Sequence, residues 1–349
     1  MLYRPPHSPS PEDIRMLAGE TILSIENLKT VLESGRRSAG LVNGVSLDVR
    51  SGETLAIVGE SGSGKTMTFM SALGLLPPSC RIESGVVRLA GENLVGLSNR
   101  ALRQRRGAGI GVIFQDPLTA LNPVFTIGDQ LVEVIRAHQA VSKTEARARA
   151  LAALRRVQIP APEARMGAYP HQLSGGMRQR VLIAMATALS PKVLIADEPT
   201  TALDVTVQAQ ILDLLASLRD ETGMGLVLIT HDLGLVAKYA DRVAVMYAGS
   251  VVEQGVVDDI FAAPAHPYTR NLLRSMPRLD QPVAQDLFAI EGQPPAPAHE
   301  RIGCAFEPRC DVGRGRQPCC TLTPALRPTA SGRAACHFPE GPQPMTVVS

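Results

Sequence analysis

The stretch Thr54-Leu-Ala-Ile-Val-Gly59-Glu-Ser-Gly-Ser-Gly-Lys65-Thr66 decides the fold. Residues 54–58 read as a buried strand. Residues 59–66 match G-x-x-x-x-G-K-[ST], and a helical pattern over 66–76 follows, which is the context this motif requires. Gly62 and Gly64 let the backbone curl so that successive N–H groups, including those of Ser61 and Ser63, converge on phosphate oxygens. The helix start adds its positive dipole end. Lys65 places a compact cation on the β- and γ-phosphates, and Thr66 offers a hydroxyl to Mg²⁺. A Gly/Ser-rich turn that binds nothing would share the composition, but nothing would require strand, motif and helix in that order. Alone, the loop specifies a nucleotide phosphate and no more.

Outward from it, apolar runs at 22–28, 45–50, 86–89, 110–114, 193–196, 226–230 and 243–247 read as strands. Patterns over 143–157, 177–189 and 205–219 read as helices. In the last, Ile211, Leu214, Leu215 and Leu218 fall at i, i+3, i+4, i+7 and mark one buried face. Apolar strands separated by helices predict an α/β core with a largely parallel sheet. Strand signals stop between 117 and 189, which reads as a helical insertion broken by Pro160, Pro162 and Pro170. The expected organisation is a flexible extension over 1–20, a nucleotide-binding domain over 21–260, an accessory domain over 261–340 and a tail over 341–349.

Composition removes several classes. At 349 residues the chain has room for two to three domains of about 150 residues. Lys+Arg is 35 against Asp+Glu 33, and aromatics are scarce, with Phe 7, Tyr 5 and Trp 0. Nucleic-acid binding through a basic face or stacked bases is therefore not expected. No run approaches the roughly 18 to 20 apolar residues of a membrane span. The start, MLYRPPHSPSPED, has Pro and charge where a secretory signal would be apolar.

The second half of a phosphate site follows the 193–196 strand. Asp197 and Glu198 are adjacent acids where a buried strand ends, which points to something charged nearby. Asp197 suits Mg²⁺. Glu198, on the opposite face by the strand period of two, suits the polarising of water as general base. A solvated acidic turn is the plainer alternative. His231 and Gln115 each follow a strand run, and neither means much alone. Together with the loop and the acids they lie at the carboxyl ends of strands, where open parallel sheets bind ligands.

At Leu173-Ser174-Gly175-Gly176-Met177-Arg178-Gln179-Arg180 the chain resembles the ATP-binding-cassette family, with Met177 in place of the usual Gln. The motifs come in the family order: phosphate loop, Gln115, signature, Asp197-Glu198, Ala202-Leu203-Asp204, His231. The resemblance implies a P-loop NTPase (RecA-like) α/β core with an antiparallel β portion and a helical insertion. It also implies ATP and Mg²⁺ as ligands and ATPase activity. Ser174-Gly175-Gly176 opens a helical pattern, a second anion-binding start that a single triphosphate does not need. The family pairs two cassettes head to tail, so Ser174 and Gly176 are expected to reach the γ-phosphate held by the mate, with Asp204 across the interface. His231 is expected to sense the γ-phosphate, and Gln115 to reach Mg²⁺ and water. An aromatic that stacks on adenine is usual in the family; its expected position holds Leu32.

More closely, the chain resembles the ATPase subunits of bacterial dipeptide/oligopeptide importers, through Gly59–Thr66, Phe114-Gln115-Asp116-Pro117, Tyr169-Pro170-His171-Gln172-Leu173, Ala202-Leu203-Asp204-Val205-Thr206-Val207-Gln208, His266-Pro267-Tyr268-Thr269 and the Cys-bearing segment. This implies a peripheral protein on the cytoplasmic face of the inner membrane. Its expected partners are two permeases, a sister ATPase subunit and an extracytoplasmic substrate-binding protein. Metal chelates and peptide antibiotics are alternative cargoes of that importer class. A soluble ATPase of another loop family, or a metal-binding module, would leave the Leu-Ser-Gly-Gly segment unexplained. Of the 6 cysteines, Cys304, Cys310, Cys319, Cys320 and Cys336 cluster late in the chain, where little core can form. Thiolate ligation of a [4Fe-4S] cluster is expected by the resemblance, zinc and free thiols being the alternatives.

Overall fold

The computed structural model describes residues 19–35, 37–201, 203–276, 288–297 and 301–339. Most of the extension expected over 1–20, the 341–349 tail and Ala202 lie outside the described residues. Strands in chain order are β1 (Thr21–Ser34), β2 (Arg37–Arg50), β3 (Thr54–Val58), β4 (Cys80–Leu89), β5 (Glu92–Asn93), β6 (Ile110–Ile113), β7 (Val193–Asp197), β8 (Gly225–Ile229), β9 (Arg242–Tyr247), β10 (Ser250–Val256), β11 (Arg327–Thr329) and β12 (Gly332–Ala334).

Strands β9, β3, β8, β7 and β6 lie side by side and run parallel. Every residue of β3, β7 and β8 is buried, which is why they read as unbroken apolar runs rather than alternating ones. Beyond β9 the same sheet turns antiparallel through β10, β12 and β11. The Cys-bearing region is therefore annealed to the core sheet, through Glu253 opposite Ala334 and Gln254 opposite Arg333. A second sheet, ordered β2-β1-β4-β5, is antiparallel throughout. Strands β1 and β2 are 14 residues each, longer than the runs at 22–28 and 45–50. Register shifts between Ile25 and Leu28 and between Thr30 and Val31 break the period of two, so alternation disappears where pairing continues.

Between β6 and β7 the chain is helical: Pro117–Ala120, Ile127–His138, Lys143–Arg156, Pro162–Arg165 and Gly175–Thr187, with a 3-10 turn at Pro170–Gln172. Local chemistry starts two of these helices. Thr126 Oγ1 accepts from the Asp129 N–H and Ser142 Oγ from the Glu145 N–H. Leu131, Ile135, Ala150 and Leu154 share a core with Ile183, Leu194 and Ile211. The insertion thus packs onto the β7 side of the sheet, together with the helix Val205–Thr222.

The C-terminal region packs into a core that it shares with β3 and β9. Tyr247 of β9, Tyr268 of the helix Pro267–Arg274 and Phe306 are fully buried, with ring centroids 4.6 to 5.3 Å apart. His266 caps that helix: its Nδ1 accepts from the Tyr268 N–H at 3.0 Å. Burial, with Arg270 adding, lowers its pKa from 6.5 to about 3. His266 is neutral in the fold, whereas in the unfolded chain it protonates below about pH 6.5. Between these values the unfolded chain holds the extra proton. Stability therefore falls as pH drops through the window, by up to about 1.4 kcal/mol per pH unit. In His266→Asn, whose oxygen can still cap, urea midpoints should fall less steeply between about pH 6.5 and about pH 4. The buried Glu253 carboxyl, which burial raises, titrates in both proteins and cancels in the comparison. Equal slopes would refute the assignment.

Candidate functional site

Two glycines of the phosphate loop are fixed by geometry. A Cβ on Gly59 would lie 2.2 Å from the Met246 carbonyl oxygen, and one on Gly64, at φ +96, would lie 2.8 Å from that of Leu41. Gly64 caps the helix Lys65–Ala72 with no side-chain bond, leaving first-turn amides for an anion. Lys65 Nζ donates to the carbonyls of Gly59 at 2.7 Å and Glu60 at 3.0 Å, and to Ser63 Oγ at 3.4 Å. Burial lowers its pKa, against the pull of Glu198, Asp197 and Glu60. Thr66 Oγ1 donates to Asp197 Oδ2 at 2.8 Å. The Asp197 carboxyl is raised by burial, and the Thr66 bond opposes this.

Glu198 does not simply take the opposite face of β7. The strand ends at Asp197, and Glu198 sits in the left-handed region at φ +45, its N–H bonded to the Ile229 carbonyl at 2.9 Å. A non-glycine residue there costs of order 1 kcal/mol or more, and such strain clusters at functional sites. The turn re-aims the carboxylate to the same side as the loop. Gln115 Nε2 donates to its Oε2 at 2.9 Å and Thr201 Oγ1 at 3.0 Å, while His231 Nδ1 lies 3.3 Å from Oε1. Gln115, Asp197, Glu198 and His231, spread over more than a hundred residues of sequence, thus converge beside the loop.

Thr201 escaped the sequence reading. Its signal was the turn Glu198-Pro-Thr-Thr201, closed by the Thr201 N–H on the Glu198 carbonyl, with Pro at the favoured second position.

A cavity of about 330 Å³ opens over Ser61, Gly62, Ser63, Gly64, Lys65 and Thr66, with Gln115 and Glu198 in its wall. Its remaining walls include Leu41 and Gly249 and, from the C-terminal region, Pro295, Pro297 and Arg301. Leu32 does not line it.

The signature residues lie elsewhere. Ser174 Oγ caps the helix Gly175–Thr187 by accepting from the Met177 N–H at 3.3 Å. Asp204 caps the helix Val205–Thr222 by accepting from the Val207 N–H at 2.9 Å. The two helix starts touch, since a Cβ on Gly176 would lie 2.8 Å from Val207 Cγ1. None of Ser174, Gly175, Gly176 and Asp204 lines the loop's cavity.

Of the clustered cysteines, Cys310 and Cys319 are buried, and both thiols lie beside Gly313. The Cys336 thiol is pushed up to about 11 by burial first, then by Cys304, Cys310 and Cys319. Cys320 is exposed and faces the Glu307 carboxylate. Among the described residues, no group of three or more His, Cys, Asp or Glu side chains is arranged to hold a metal ion. The expected [4Fe-4S] cluster is therefore not supported by this arrangement. No described helix is long and apolar enough to cross a membrane.

The family described as ABC transporter matches residues 42–201, and the oligopeptide/dipeptide transporter C-terminal region matches residues 252–319. The dipeptide transport ATP-binding protein DppD of Bacillus subtilis is 51% identical over 292 residues, covering 83% of this chain and 87% of that protein. The oligopeptide transport ATP-binding protein OppD of Mycobacterium tuberculosis is 49% identical over 317 residues, covering 90% of this chain and 51% of that protein. Among solved structures, the dimeric ATP-binding cassette MJ0796, bound to ADP and Pi in a post-hydrolysis state, superimposes with a TM-score of 0.60 at 30% identity. That match covers 68% of this chain and 99% of the other.

Proposed function

The chain belongs to the ATP-binding-cassette family, as the ATP-binding subunit of a dipeptide/oligopeptide importer, and from that premise we propose how its residues divide the work of ATP hydrolysis. The observation that carries the proposal is the Glu198 carboxylate, held by Gln115, Thr201 and His231 at the edge of the phosphate-loop cavity.

The loop amides and Lys65 take the triphosphate, the ammonium exchanging its two carbonyl partners for phosphate oxygens. The Thr66 and Asp197 oxygens, adjacent and beside Lys65, are hard donors that fit Mg²⁺, which when bound neutralises charge on the terminal phosphates. Glu198 accepts a proton from water as the water oxygen bonds to the γ-phosphorus. The bond to the ADP oxygen breaks, and ADP and phosphate leave. Gln115 and Thr201 hold the carboxylate in place, and His231 reaches the γ-phosphate.

Ser174 and Gly176 act on the ATP of a mate. This is supported by their absence from the chain's own cavity and by the positive dipole end of the helix they open. A sister ATPase subunit is the proposed mate. The pair works on the cytoplasmic face of the membrane beneath two permeases fed by a substrate-binding protein, and the 117–189 helices pass the motion on.

Ser174→Glu tests the pairing. A carboxylate facing the mate's γ-phosphate should leave ATP bound at the chain's own loop but lower turnover about a hundredfold. It should also abolish ATP-dependent mass doubling in light scattering. Undiminished turnover would refute the trans role.

A further inference from the structure

Glu60 is a carboxylate inside a loop built to gather anions. It is neutralised from a great distance along the chain. Arg309 Nη1 donates to its Oε2 at 2.9 Å and Nη2 to its Oε1 at 3.1 Å, a two-pronged pair. The Arg309 side chain is 6% exposed and that of Glu60 23%. The other guanidinium bonds leave no slack: Nε donates to the Glu291 carbonyl at 2.9 Å, Nη2 to that of Ile290 at 3.2 Å, and Nη1 to Tyr247 Oη at 3.2 Å.

The backbone of Glu60 is tied to the same region. Its N–H donates to Tyr268 Oη at 2.9 Å, and its carbonyl accepts from Lys65 Nζ. Arg309 ends the 3-10 turn Glu307–Arg309, next to Cys310, which packs with Tyr247, Tyr268 and Phe306. Glu60 does not line the cavity, so the pair turns its charge away from the ligand.

We propose that Arg309 is a positioning residue for ATP hydrolysis, through which the C-terminal region keeps the phosphate loop in its anion-accepting form. It cancels the Glu60 charge beneath the loop and, with Tyr268, fixes the loop's first peptide. Pro295, Pro297 and Arg301, in the cavity wall, come from the same region, which therefore meets the nucleotide site at two places. Removing Arg309 leaves a half-buried, uncompensated carboxylate beneath the loop that gathers the triphosphate, and this penalty falls on binding rather than on the chemical step.

The experiment is ATPase kinetics on Arg309→Ala with and without Glu60→Gln. Arg309→Ala should raise KM for ATP about tenfold with kcat within about twofold, and the loss of affinity should be greater for ATP than for ADP. Adding Glu60→Gln, which removes the bare carboxylate, should bring KM back toward wild type. An unchanged KM in Arg309→Ala, a kcat that falls with it, an equal loss for ATP and ADP, or no relief from Glu60→Gln overturns the proposal, because a merely structural arginine would not single out ATP affinity. If Arg309→Ala does not fold, Arg309→Gln carries the same comparison: it removes the charge but keeps a polar side chain among the carbonyls, and KM should again rise about tenfold and be relieved by Glu60→Gln. The proposal rests on the ATPase reading, which wild-type turnover measured in parallel tests separately.

Discussion

Glu198→Gln should bind ATP as the wild type does and release phosphate about a thousandfold more slowly. The two side chains have the same shape, so the amide can keep its place between Gln115, Thr201 and His231. The left-handed turn that aims residue 198 at the cavity is a backbone feature and survives the change. What disappears is the ability to take a proton from water. On the proposed pairing, in which hydrolysis reopens the closed pair, the variant should accumulate as a stable ATP-bound assembly. Phosphate release and light scattering, with and without Mg²⁺-ATP, check both halves. Turnover within tenfold of wild type would remove Glu198 from its role.

Lys65→Ala should weaken ATP binding by about a hundredfold or more, which calorimetry would read directly. Lys65 is buried, and its charge is opposed by three carboxylates, those of Glu198, Asp197 and Glu60. Deleting it leaves those carboxylates without that cation at the point where a triphosphate must enter. Arg301, in the cavity wall, remains as a cation but comes from the C-terminal region. Arginine at 65 is a poor substitute, because the ammonium threads between carbonyls 2.7 and 3.0 Å away. Affinity within tenfold of wild type would show that the loop amides alone hold the phosphates.

The phosphate loop was legible because its glycines answer to hard sterics, and β3, β7 and β8 because strands buried on both faces leave apolar runs. Asp197, Gln115 and His231 were legible by position, at strand ends. The rest depends on contacts that sequence distance conceals. The aim of Glu198 comes from one residue leaving the strand's period, and the far ends of β1 and β2 were hidden by bulges. Nothing local to Arg309 announces Glu60, and nothing near Leu32 shows that the cavity wall is built instead from Leu41, Pro295, Pro297 and Arg301.

The pairing of β12 with β10 gives the C-terminal region a second use, unconnected with nucleotide. A strand at the rim of a sheet carries a row of open backbone donors and acceptors that invites strand addition from other chains. In β10 that row is taken up by a short, polar hairpin, and the last strand outward, β11, contains Pro328, which has no amide to offer. By that argument the hairpin covers the rim, and a cassette cut free of its C-terminal region should expose an open strand edge.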